Sequence, residues 1–272
     1  MEVGLYGEIN SFWKGQRLKV GCIVQARMDS TRLPGKVLIP VLDKPILWHI
    51  VNRLRNSKLI DEIIIATTNK DRDKPIIDMA QKCLIQSYAG SEEDLIDRFY
   101  QASKLFNLDI VVRIAADRPV IDPQIVDKVV EFFLENLSDY DCVNNINHYQ
   151  IFPHGLIVEV FSLSLVEKLW KEIKDPLRRE WFTTVIYENP QKYRIFCLKS
   201  DIHIPHLRLT LDYPEDLELT KFIYQNLYSE KSCFLLKDII ELYSHNQEIF
   251  NINRKYDENE GYAKELKKKG EV

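Results

Sequence analysis

Apolar residues in this chain fall first into short β-branched runs and then into stripes at helical spacing, and the two patterns alternate. Leu18 to Val24 reads as a buried strand. Pro45 then suits a first helical turn, and Ile46, Leu47, Ile50, Val51 and Leu54 share one helical face. Glu62 to Ala66 forms the next apolar run, ending in Thr67, Thr68 and Asn69, and a helix is expected over Lys74 to Lys82. In "GSEEDLIDRFYQASKLF" Ser91 is the expected N-cap, with acidic residues in the first turn and a buried stripe of Leu95, Phe99, Ala102 and Phe106. "LDIVVRIAAD" is a further strand running into Asp117, and Asp122-Pro123 opens an amphipathic helix.

Strands and helices alternating at this pitch predict βαβ units and a mainly parallel sheet. Beyond "YDCVNN" the rhythm changes. "GLIVEVFS", "YRIFCLKS" and "HLRLTLD" read as strands, separated by helices at about Leu163 to Lys174 and Arg178 to Glu188, and Leu207 to Leu211 is expected to rejoin the main sheet. From Ile252 the chain is charged and nearly devoid of core residues, which predicts a frayed end. The expected division is an extension over 1–17, a single domain over 18–250 and a tail over 251–272.

At 272 residues the chain suits one large domain with a sizeable core. Its net charge of -4 gives no general attraction to nucleic acid, so any basic site is local. Cys22, Cys83, Cys142, Cys197 and Cys233 are widely separated without a CxxC pair, which points to free thiols in a reducing, cytoplasmic setting. No run approaches the ~20 apolar residues that span a bilayer, and the first residues lack the basic-then-apolar order of a signal peptide.

The densest chemistry is "QARMDSTRLPGK", Gln25 to Lys36, at the carboxyl end of the first strand. Ligands of open α/β sheets collect in the crevice at that end. A strand, a loop bearing Arg27, Arg32 and Lys36, and then a helix suggest a polyanion site. It is not a Walker loop, because the position that requires glycine holds Ser30 and Lys36 is followed by Val37. Asp117 and Asp212 stand at the ends of other expected strands, and a carboxylate pair in one crevice suits Mg²⁺ bridged to phosphate oxygens. His154, in a turn, and Arg178-Arg179-Glu180, at a helix start, are weaker candidates for an anionic partner. His148, His203 and His206 show no metal-ligand spacing.

Together "QARMDSTRLPGKVL", "LIDEIIIATT", "GSEEDLIDRFYQA", "DRPVIDP", "GLIVEVFS" and "RLTLDYPEDLEL" resemble, in order and spacing, cytidylyltransferases of the spore-coat polysaccharide type, relatives of the enzymes that make CMP-activated Kdo and acylneuraminic acids. The resemblance implies a Rossmann-like nucleotidyltransferase fold of α/β class, GT-A-like and three-layered, with a mostly parallel mixed sheet. It also implies transfer from CTP to a small anionic acceptor with release of pyrophosphate, and Mg²⁺ as cofactor. Nucleic acid and membrane insertion have no part in it, and a homodimer is left open. On this resemblance Ala26, Arg27, Ser30, Thr31, Arg32, Gly35 and Lys36 hold the triphosphate, while Thr67, Thr68, Ser91 and Arg98 line the cytidine side. Arg27, Arg32, Lys36 and Asp117 carry the chemistry, and Asp117 and Asp212 hold the metal. The acceptor side, about 145–205, contributes Arg118, His154, Glu159, Arg179 and Glu180, with Arg208 beside it.

The pattern departs from its relatives at several positions. Ala115-Ala116 stand in place of Thr-Gly, Arg118 in place of a small residue, His154 and Ile157 in place of aspartates, and Trp181 in place of histidine. The departures gather on the acceptor side. A phosphorylated small-molecule acceptor and a noncatalytic nucleotide-binding role are the alternatives; a glycosyltransferase, which fold-level analogy alone suggests, is disfavoured because the cationic loop fits a triphosphate better than a diphosphate sugar.

Overall fold

The computed structural model describes residues 17–146, 152–200, 202, 204, 207–228 and 233–256. Residues 1–16, His148, His203, His206 and residues 257–272 lie outside the described residues.

The first half follows the predicted rhythm. Strand β1 (Val20–Gln25) leads through a short ribbon of β2 (Pro40–Val41) and β3 (Lys44–Pro45) into helix α1 (Ile46–Leu54). Then come β4 (Glu62–Thr68), α2 (Lys74–Lys82), β5 (Gln86–Gly90), α3 (Leu95–Leu105), β6 (Ile110–Ala115) and α4 (Pro123–Glu135). The second half holds β7 (Cys142–Asn144), β8 (Glu159–Ser162), α5 (Leu163–Glu172), α6 (Pro176–Glu180), α7 (Phe182–Tyr187) and β9 (Ile195–Cys197). Helices α8 (Pro214–Leu227), α9 (Leu236–His245) and α10 (Gln247–Phe250) complete it.

The seven main strands form one sheet in the order β5-β4-β1-β6-β8-β7-β9. Every pairing is parallel except the two made by β8, so the sheet is mixed but mostly parallel. Alternate β1 residues face opposite ways, as strand geometry requires. Cys22 and Val24 join a core with α1, α4 and α8, while Ile23 joins one with α3, α5 and α7. These are the three layers of a Rossmann-like α/β fold. The chain passes from β1 to β4 on one side and later sets β6 on the other side of β1. The topological switch point therefore lies between the carboxyl ends of β1 and β6, where the loop from Ala26 and the residues after Ala115 emerge.

Four local expectations change. Helix α3 starts at Leu95 and is capped by Asp94, whose carboxylate accepts from the Asp97 amide at 2.9 Å; Ser91 lies outside the helix, too far back to reach those amides. The helix expected over Arg178 to Glu188 is two short helices that meet at Trp181. Leu207 to Leu211 is an extended segment rather than a sheet strand: Arg208 bridges His154, and the Leu211 amide donates to the Asp117 carbonyl at 2.8 Å. Finally, residues just past 250 pack rather than fray, since Asn253 is fully buried.

Candidate active site

The loop after β1 is shaped by its own backbone. The Ser30 and Gly35 amides both donate to the Met28 carbonyl at 3.0 Å, and the Ser30 hydroxyl accepts from the Leu33 amide at 3.3 Å. Gly35 has φ 67, a left-handed conformation that favours glycine, and it leads straight into the turn beginning at Lys36. Beneath the loop, the fully buried Asp73 accepts from the Met28 amide at 2.7 Å and from the Thr68 hydroxyl. Asp73 thus ties the basic loop to the end of β4. Ala26 is buried and bonded through its amide to Ala66, while Thr31 is exposed.

Two of the loop cations converge on the two strand-end aspartates. The Lys36 ammonium donates to Asp212 Oδ1 at 2.8 Å and to the Leu211 carbonyl at 2.6 Å, and it lies 3.9 Å from Asp117 Oδ2. Arg32 pairs with Asp212 Oδ1 at 2.6 Å, and its guanidinium stands 5.2 Å from the centre of the Tyr213 ring. Burial pushes the Asp212 carboxyl up, but Lys36, Arg32 and Arg208 outweigh it and hold the group below its ordinary value. Burial likewise lowers the Arg32 guanidinium, and the Asp212 carboxylate and Tyr213 reverse that, so it stays a firm cation.

The third loop cation turns the other way. Arg27 donates to Glu180 Oε1 at 3.1 Å, and Glu180 Oε2 lies 3.5 Å from the buried Arg98. Burial raises the Glu180 carboxyl, against the opposing pull of Arg98 and Arg27. Glu180, expected on the acceptor side, therefore stands beside Arg27 and Arg98, which are expected on the nucleotide side. Thr67 is fully buried at the end of β4, and its hydroxyl has no partner among the described residues.

The other residues expected on the acceptor side divide into two groups. Around Asp117 and Asp212, Arg118 donates to the Ile157 carbonyl and lies 4.0 Å from both Asp117 and Glu159. Burial pulls the Arg118 guanidinium down, with Glu159 and Asp117 countering. Glu159 is buried between Arg113 and the Tyr187 hydroxyl, which donates at 2.6 Å. His154 Nδ1 lies 3.2 Å from Arg208 Nη1. Gly155 has φ 110, and a Cβ there would meet the Leu209 carbonyl carbon at 2.4 Å, so only glycine lets these two backbones touch. Arg179 is not part of this group. It donates to Asp94 at 2.7 Å and to the carbonyls of Trp170 and Ile173, locking α6 onto α3 and α5.

Sequence reasoning passes over Asp216. It is 1% exposed and accepts from the Asp212 amide at 2.8 Å, the Tyr213 amide at 2.9 Å and both Arg208 Nε and Nη2 at 3.0 and 3.2 Å. Its place two residues after Pro214 in "DYPED" is the available signal, an acidic residue in a helix's first turn. Asp73 gives a similarly faint one, just ahead of Lys74-Pro75.

A divalent cation fits these groups. Among the described residues no cluster of three or more His, Cys, Asp or Glu could hold a metal, so protein groups alone do not make a cage. The Asp117 carboxylate is one-third exposed and has only long ion pairs, leaving its oxygens free to coordinate. One or two carboxylates completed by substrate phosphate oxygens is the donor set that Mg²⁺ prefers.

The family model for cytidylyltransferases matches residues 21–250. A protein of unknown role from Methanocaldococcus jannaschii is 37% identical over 87% of this chain and 95% of its own length. The spore coat polysaccharide biosynthesis protein SpsF of Bacillus subtilis is 31% identical over 82% of this chain and 93% of its own. The structure of a cytidylyltransferase from Leptospira borgpetersenii superposes with a TM-score of 0.82 at 35% identity, covering 88% of this chain and all of that one.

Proposed function

The chain belongs to the cytidylyltransferase family and is a CTP-dependent nucleotidyltransferase; on that premise we propose that it couples CTP to a small anionic acceptor of the nonulosonic-acid type, making an activated precursor of a surface polysaccharide. The observation that carries this reading is the convergence of Lys36 and Arg32 on Asp212, with Asp117 beside them, at the switch point of the sheet. Likeness to a spore coat polysaccharide protein supports the destination of the product.

In the proposed reaction an acceptor oxygen attacks the α-phosphorus of CTP in line. The new P–O bond forms as the bond to the bridging oxygen breaks, and pyrophosphate departs. Lys36 and Arg32 exchange Asp212 for phosphate oxygens and neutralise charge on the leaving group, with Gly35 admitting the backbone closely. A bound Mg²⁺, held by Asp117 and Asp212, would supply further charge neutralisation at the phosphates. On the acceptor wall Arg118 and Arg208 supply positive charge, with His154 Nδ1 beside Arg208 and Glu159 beside Arg118. The nucleotide-side assignment of Ala26, Arg27, Ser30, Thr31, Thr67, Thr68, Ser91 and Arg98 belongs to the same proposal, as does a cytoplasmic setting. Among the described residues no helix is long and apolar enough to cross a membrane.

The test is Mg²⁺-dependent pyrophosphate release from CTP, with ATP, GTP and UTP as controls, against nonulosonic acids, Kdo-type sugars and phosphorylated small molecules. The proposal expects release with CTP and a sugar acid. Release only with a phosphorylated acceptor would replace the acceptor class, and release with another nucleotide would refute the CTP reading.

A further inference from the structure

The segment immediately after the family-matched residues reaches the catalytic candidates along two routes. Asn253 is fully buried, and its Nδ2 donates to Asp216 Oδ1 at 2.8 Å and to the Arg208 carbonyl at 3.1 Å. Asp216 in turn holds the Asp212 amide and the Arg208 guanidinium, whose Nη2 lies 3.3 Å from Asp212 Oδ2. The second route is aromatic. Tyr256 stacks on Tyr213 with ring centres 3.7 Å apart and an interplanar angle of 3°, and Arg32 lies 5.2 Å from the Tyr213 ring centre. Two polar contacts pin Tyr256 in place: its hydroxyl donates to Glu215 Oε2 at 2.8 Å, and neighbouring Lys255 bonds Glu215 Oε1 at 2.7 Å.

A charged run with almost no apolar residues has little reason to pack by burial alone. Here Asn253 and Tyr256 supply what it lacks, a buried amide at one end and a flat ring at the other. Both contacts fall on the stretch from Arg208 to Asp216 that carries Asp212, while Ile252 packs against the hydrophobic core beside it. We infer that residues 251–256 are a strap that fixes the orientation of Asp212 toward its cation, with Asn253 and Tyr256 as positioning residues. The inference rests on the proposed reading of Asp212 as a metal ligand. Groups that orient a metal ligand from behind set its affinity as well as its geometry, and their loss typically costs about 10–100-fold in metal binding.

The test uses the full chain with Asn253→Ala, Tyr256→Ala and Tyr256→Phe, and Asp212→Asn as the reference. Mn²⁺ is titrated in the presence of CTP and followed by the electron paramagnetic resonance signal of the free ion, against a CTP-only baseline. Mg²⁺ dependence of pyrophosphate release is measured alongside, with circular dichroism to verify folding. Asn253→Ala and Tyr256→Ala are expected to weaken Mn²⁺ binding by about tenfold and to shift half-activation to higher Mg²⁺ by a similar factor. Saturating Mg²⁺ should restore most of the rate without changing KM for CTP, and Tyr256→Phe, which keeps the stack, should stay within about twofold of wild type. Tyr256 is only partly buried, so its variant serves if Asn253→Ala does not fold. Folded variants with unaltered Mn²⁺ binding and Mg²⁺ dependence would overturn the strap. A wild type that binds Mn²⁺ more tightly than the strap variants yet releases no pyrophosphate would overturn the transferase reading and leave the strap standing.

Discussion

On the loop after β1, the side chains of Arg27, Arg32 and Lys36 are 45%, 28% and 12% exposed, and each is paired with a carboxylate from a distant part of the chain. Across the crevice, those of Arg118, Arg179 and Arg208 are 8%, 16% and 5% exposed and are bound to carbonyls and carboxylates of their own framework. The residue types match, yet the surroundings differ. The more exposed Arg27 and Arg32 are screened by water, and Lys36 shares Asp212 with Arg32 and Arg208, so it can leave without stranding that carboxylate. A buried guanidinium cannot, because any partner it leaves behind becomes an uncompensated charge. On the proposed reading the first group meets a polyanionic substrate and Arg118 and Arg208 form the wall opposite, while Arg179 holds α6 against α3 and α5.

The sharpest way to break this contrast is Asp216→Ala, which takes from Arg208 its nearer carboxylate, leaving only Asp212 at 3.3 Å, and leaves two backbone amides without their acceptor. A loss of about 3–5 kcal/mol in unfolding free energy is expected by urea denaturation, the range for breaking a buried ion pair. A cost below ~1 kcal/mol would show that the second group is as exchangeable as the first. Lys36→Ala should behave in the opposite manner. Asp212 keeps Arg32 and Arg208 and is not left unpaired, so the stability loss should stay below the roughly 3–5 kcal/mol of a broken buried pair, while turnover falls by about 10²–10³-fold, or ~2.7–4 kcal/mol in the barrier. Steady-state rates of pyrophosphate release beside a melting curve check both halves of that statement. The smallest effect is expected for Arg179→Ala, where charged hydrogen bonds to Asp94 and to carbonyls are lost. About 1.5–3 kcal/mol of stability should go with them, and kcat should remain within about twofold. A selective rise in acceptor KM would return Arg179 to the acceptor side.

Much of the frame was legible before any coordinates. The β1 run, the bounds of α2 and the Asp122-Pro123 start of α4 follow from local pattern alone, since each is decided by neighbours within a few positions. β5 was not, because Gln86-Ser-Tyr-Ala-Gly90 lacks β-branched residues and is a strand only through its pairing with β4. The Leu207 to Leu211 run carries a strand's alternation but meets its neighbours through single backbone contacts, so propensity overstates it. In the site, Asp117, Asp212 and the loop cations stand out because strand ends and loop chemistry mark them locally. Asp73 and Asn253 do not, since their value lies in partners far along the chain, Met28 for Asp73 and Arg208 for Asn253, and Asp216 does not because its first-turn position reads as an ordinary helix start. Arg179 and Glu180 show the converse: two adjacent charged residues whose side chains serve different parts of the molecule.

The claim at the centre of this account is that Lys36 passes from Asp212 to the triphosphate of CTP. Calorimetric titration of CTP into the wild type and Lys36→Ala, with Mg²⁺ present, tests it directly. The wild type should bind CTP, with an affinity at least about tenfold lower in the variant, a loss of ~1.4 kcal/mol. Equal affinity in the two proteins, with the variant folded, would contradict it.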